Sequence, residues 1–149
     1  MIETIEPETI DLDGRVLTIR PMPATKARDL MLLIGLSAMS LSKSDDLTVA
    51  TQRAIISNFK EVCDTFGEFT IVSVIDAKAG KTHQKRLTLV FDDFFAGPKG
   101  QKAIYAWIAA CVRYHYGSFS ELLGGIKELF TTMAESASPS TSTGSSDDS

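Results

Sequence analysis

The chain is poor in the residues that mark a metal site or a disulfide scaffold. It has two cysteines, Cys63 and Cys111, and two histidines, His83 and His115, with none of the close pairings by which zinc sites are recognised. Each cysteine lies in an apolar, helix-like context, which predicts a reduced core thiol rather than a disulfide. Long hydrophobic runs are also missing. A bilayer span needs about 18 consecutive apolar residues, and even Leu30 to Ser42 is interrupted by Gly35, Ser37 and Ser40. The start, Met1 to Glu8, is acidic and lacks the basic and apolar regions of a secretion signal, so a cytoplasmic location is expected and no membrane partner. Positive charge is scarce: 15 Lys and Arg against 19 Asp and Glu leave a net charge of -4, which argues against a general binder of nucleic acid.

The signatures of catalysis are thin as well. No G-x-S-x-G elbow occurs. The acidic doublets Asp45-Asp46 and Asp92-Asp93 could serve acid–base or magnesium chemistry, but both stand where a helix or turn is expected to begin, and there capping and the helix dipole account for them. No catalytic, cofactor-binding or metal-ligating residue is assigned, no cofactor is expected, and the chain reads as a non-enzyme. Gly97-Pro98-Lys99-Gly100 has the G-x-x-G form with which KH domains clamp a nucleic-acid backbone, and Lys81, Lys85, Arg86, Lys99 and Lys102 could supply charge. Proline inside the turn and Ile104 one place late for the KH spacing favour a plain helix-joining turn. A small nucleic-acid-binding module stays as an alternative.

What is present is helical periodicity with a β-hairpin in front. Asp13-Gly14 tolerates the positive φ angles of a type I′ turn, so Glu8–Leu12 and Arg15–Arg20 pair with Ile10, Leu12, Leu17 and Ile19 on one face. Pro23 suits the first turn of a helix over Ala24–Leu41, whose stripe of Ala27, Leu30, Met31, Ile34, Ala38 and Leu41 is widened by Leu33 and Leu36. Residues 42–46 offer N-caps to a second helix over Leu47–Phe66, with Gly67 as its stop. Phe69–Ile75 and Arg86–Phe91 read as two strands around a polar segment, with short buried helices as the alternative. A helix over Gln101–Tyr116 follows, and a last helix starts at Ser118, which forms a capping box with Glu121. In that helix Gly124-Gly125 permits a kink or a close approach. Residues 136–149 (SASPSTSTGSSDDS) hold no large apolar residue and are predicted to be a disordered, acidic Ser/Thr-rich tail after a single domain over 1–135. The fold class is α+β, mainly α, a helical bundle packed on a small β element.

Aromatic residues concentrate in the C-terminal half, more than two helices readily bury, which suggests a groove for an apolar partner. The candidate partner-binding residues are Leu33, Leu36, Phe94, Phe95, Tyr105, Tyr114 and Tyr116.

Four features together resemble the tail assembly chaperones of long-tailed bacteriophages. They are the Asp13-Gly14 hairpin leading through Ile19-Arg20-Pro21-Met22-Pro23-Ala24 into a Leu-rich helix; Phe91-Asp92-Asp93-Phe94-Phe95 before the late helices; Trp107 followed by Tyr116-Gly117-Ser118-Phe119; and a polar tail. The resemblance covers residues 8–135 loosely. It implies a non-enzymatic chaperone of the host-cell cytoplasm that coats apolar segments of the tape measure protein while the tail tube forms, with contacts to the tube protein and to copies of itself. In many members a ribosomal frameshift near the end of the gene makes a longer product, which would put the tail at the junction. A tail-completion or head–tail connector protein of the virion is the alternative viral reading.

Overall fold

The computed structural model describes residues 5–41, 46–76, 78 and 80–137. The chain begins as predicted: β1 (Glu8–Leu12) and β2 (Arg15–Ile19) pair antiparallel with Leu12 opposite Arg15 and Ile10 opposite Leu17. Asp13 and Gly14 take φ of 59° and 92°, and the Asp11 carboxylate accepts the Gly14 N–H at 2.8 Å, which closes the turn. Leu17 and Ile19 are fully buried, with Ile10 and Leu12 packed beside them.

Helix α1 (Ala24–Leu41) has the predicted bounds, and its first turn hangs on the Pro23 carbonyl, which accepts the Ala27 N–H at 3.1 Å. The expected second helix is two helices, α2 (Leu47–Ser57) and α3 (Phe59–Glu68). Asn58 breaks it: its side-chain amide donates to the Ala54 carbonyl and to the Ser37 hydroxyl, both at 2.8 Å, and its backbone leaves the helical region at φ -111° and ψ 34°. The Asp46 carboxylate caps α2 by accepting from Thr48 N–H at 3.0 Å. Ser37 of α1 thus meets the far end of α2, and the two helices pack against each other. Gly67 is no stop. It lies inside α3, where a Cβ would come within 2.8 Å of the Thr88 methyl.

Strand β3 (Thr70–Asp76) falls where predicted, but its neighbour does not. The expected strand Arg86–Phe91 is α4 (Leu87–Phe94), and the polar segment before it forms β4 (Lys81–Arg86). As a helix, the apolar run buries Leu87 and lays Phe91 on Trp107 with ring centroids 5.8 Å apart. A polar edge strand costs little, since neither of its faces is covered. The sheet order is β1-β2-β3-β4, all antiparallel.

Helix α5 (Gly97–Tyr116) starts four residues before the expected position, so Gly97-Pro98-Lys99-Gly100 is its first turn rather than a loop. Asp92 and Asp93 therefore stand in the last turn of α4 and cap nothing, because the residue preceding α5 is Ala96. Helix α6 (Phe119–Ala137) begins with the predicted cap: Ser118 Oγ accepts the Glu121 N–H at 3.0 Å. Gly125 makes the close approach that its sequence suggests, since a Cβ there would come within 2.8 Å of Met31 Sδ on α1. Helix α6 includes residues 136 and 137; the rest of the predicted tail, 138–149, lies outside the described residues.

The buried residues form one cluster, with α3, α5 and α6 contributing Phe66, Trp107, Cys111, Leu122 and Ile126. Trp107 is fully buried, and its indole N–H donates to Thr70 Oγ1 at 3.1 Å, while that hydroxyl donates to the Phe66 carbonyl at 2.8 Å. Arg15 ties the hairpin to the α4–α5 connection by donating to the carbonyls of Phe94 (3.0 Å) and Ala96 (3.1 Å).

Two of the helical glycines, Gly100 and Gly124, should respond oppositely to alanine. A Cβ at Gly100 would fall on the Phe95 carbonyl group, backbone that cannot swing aside, whereas Gly124 has nothing within 4 Å. In urea unfolding, G100A should lose about 1–3 kcal/mol and G124A should gain about 0.5–1 kcal/mol.

Candidate partner-binding surfaces

The seven residues singled out from the sequence do not form one site. Phe95 is 3% exposed and belongs to the core, where its ring packs 5.6 Å from Trp107. It is therefore corrected from a partner-binding to a packing residue. Leu33, Phe94, Tyr114 and Tyr116 are partly buried and pack on the same cluster. Two of them act as struts, the Tyr114 hydroxyl donating to the Glu6 carbonyl at 2.7 Å and the Tyr116 hydroxyl to the Ala27 carbonyl at 2.6 Å. Burial raises both phenol pKa values, more for Tyr116. Only Leu36 and Tyr105 face solvent, at 49% and 63% exposure.

Sequence periodicity missed the larger feature, the exposed apolar side chains of the α1–α2 pair. In α1 the buried positions are Leu30, Ile34, Gly35 and Ala38; Leu36 and Met39, three apart, fall outside that set, with Met39 54% exposed. In α2 the buried positions are Ala50, Thr51 and Ala54; Val49 and Ile56, seven apart, lie opposite, at 41% and 67% exposure. The helices pack against each other, so these four exposed apolar side chains belong to one helix pair. The available signal was in the first helix, where Leu33 and Leu36 widen the apolar stripe and read from sequence alone as burial on more than one side.

Tyr105 belongs to a different region. Its ring lies 6.3 Å from that of Phe59, beside a cavity of about 370 Å³ between α3 and α4 lined by Phe59, Cys63, Thr88 and Phe91, with Lys60, Asp64 and Asp92 also at its wall. Lys60 and Asp64 are paired across one helical turn at 2.8 Å. Cys63 shows no sign of activation: burial pushes its thiol pKa up to about 12, and Cys111 moves the same way for the same reason. Both are free, buried thiols, in keeping with the sequence reading.

His115 stacks on Phe66, with ring centroids 5.5 Å apart and planes 11° from parallel, and its Nε2 is buried without a hydrogen-bond partner. Among the described residues no group of three or more His, Cys, Asp or Glu side chains could hold a metal ion, and no helix is long and apolar enough to cross a membrane. No protein-family model, curated protein or solved structure matches this chain.

The histidine makes stability pH-dependent. Burial lowers its pKa from 6.5 to about 4 in the folded chain, so the unfolded chain takes up a proton first as pH falls. This contribution is fully present above pH 6.5 and is lost progressively between pH 6.5 and about 4. The melting temperature of the wild type should fall across that window, and H115F, which keeps a ring on Phe66, should flatten the slope. An equal slope in H115F would assign the acid sensitivity to other groups.

Proposed function

We propose that this protein is a non-enzymatic assembly chaperone of the phage tail type, holding apolar segments of a tape measure protein in the cytoplasm of the host cell until the tail tube takes them over. The observation that supports this reading is on the paired helices α1 and α2, where Leu36, Met39, Val49 and Ile56 stand in solvent while the core is complete without them. Scattered exposed leucines are ordinary, but four exposed apolar side chains on one helix pair suit the apolar side of a client helix. The resemblance in the hairpin, the Phe91–Phe95 segment and the Trp107 to Phe119 region supplies the client's identity. No cofactor or metal enters the work, since holding a chain needs contact and release only.

Coexpression with a long, helical, alanine-rich client encoded beside it tests the proposal. The client should be soluble and captured only in the presence of the wild-type chain. L36E/I56E should abolish capture, with the circular dichroism spectrum and the melting temperature unchanged because both side chains are largely outside the core. A client that is soluble alone, or is captured equally by the variant, would rule the reading out.

A further inference from the structure

The open edge of the sheet has a chemistry of its own. Strand β4 is last in the sheet order, and all six of its residues are exposed. The direction of its backbone groups follows from the hydrogen bonding across the sheet. Arg20 N–H donates to the Phe69 carbonyl at 2.8 Å, so the even-numbered residues of β2 point their backbone groups at β3, and Thr18 and Ile71 form a hydrogen-bonded pair. Alternation then makes Val72 with Lys85 and Val74 with His83 the hydrogen-bonded pairs between β3 and β4. The N–H and C=O groups of Thr82 and Gln84 consequently point away from the sheet, where no further strand among the described residues receives them.

Charge decides what such an edge can accept. Residues 77–86 carry Lys78, Lys81, Lys85 and Arg86 and no carboxylate, so a net charge of -4 for the whole chain leaves -8 on the remainder. Arg86 is held by Glu68 at 3.2 Å, while Lys81, His83 and Lys85 alternate along one face of the strand. Pairing with a second copy's β4, antiparallel and centred on His83, would set Lys81 of each copy against Lys85 of the other, which is repulsive. A nucleic acid would meet the same cations but has no peptide N–H and C=O groups to pair with the edge. An extended acidic segment of another protein meets the cations and supplies those groups.

We propose that the free edge of β4 is a docking strand for an extended acidic peptide, which adds to the sheet through the backbone groups of Thr82 and Gln84 and sets its carboxylates against Lys81, His83 and Lys85. This surface is separate from the exposed apolar side chains of α1 and α2 and does not depend on the function proposed above. The side chains set the sign of the charge accepted, and the backbone demands an extended conformation.

The test uses a fluorescent peptide of alternating threonine and glutamate long enough to span β4, titrated with the full chain and followed by anisotropy. Saturable binding is expected, with none for the alternating threonine–lysine peptide. K81E/K85E and Q84P should each weaken binding by about tenfold or more, the first by reversing charge and the second by removing an outward N–H that no strand of the sheet uses. On the wild type, amide exchange at Thr82 and Gln84 should be fast when free and slowed when the peptide is bound. That measurement decides the matter if Q84P perturbs the fold. Absence of saturable binding, unchanged affinity in K81E/K85E, a folded Q84P that binds like wild type, unprotected amides in the complex, or a preference for a DNA or RNA oligonucleotide over the peptide would each overturn the proposal.

Discussion

The Thr70 hydroxyl is the point on which three elements converge. In the centre of the core it donates to the last turn of α3 through the Phe66 carbonyl and accepts the indole N–H of Trp107 from α5, while its own backbone starts β3. Trp107 is fully buried, so its N–H has no recourse to water, and an unpaired donor there would cost about 1–3 kcal/mol. The aromatic shell follows from this placement. Phe66 meets the indole edge-on, and Phe91 and Phe95 pack on it from α4 and the residue after it. Once the indole is fixed, α4 must be a helix to bring Phe91 and Phe95 to it, and β4 is left as a bare strand at the edge of the sheet.

This arrangement explains which parts of the fold were legible in the sequence. The hairpin and its register, α1 and the Ser118 half of the capping box rest on chemistry within a few residues and follow from the sequence, while of the N-cap candidates over 42–46 the structure selects Asp46. Arg86–Phe91 was misread because its fate depends on Trp107, sixteen residues or more away, and a short apolar run has no periodicity of its own to declare it. Lys81–Arg86 was misread because a polar edge strand is specified by the neighbour it pairs with, not by its side chains. The break at Asn58 needed knowledge of Ser37 on the facing helix. The candidate site was the least legible part. Of the residues named, Leu36 and Tyr105 reach solvent, while Tyr114 and Tyr116 spend their hydroxyls bracing α5 against Glu6 and Ala27.

The surface left over divides by chemistry. The α1–α2 pair exposes apolar side chains, and the far edge of the sheet shows cations and unpaired backbone. Neither contributes to the core, so both can vary with a partner at little cost to folding.

The claim that the core closes on itself through Thr70 and Trp107 is tested most directly by a double-mutant cycle in urea unfolding, with T70V, W107F and the double variant. If the hydroxyl and indole are paired as described, the two losses will overlap, giving a coupling energy of about 1–2 kcal/mol. Strict additivity of the two single substitutions would contradict the account.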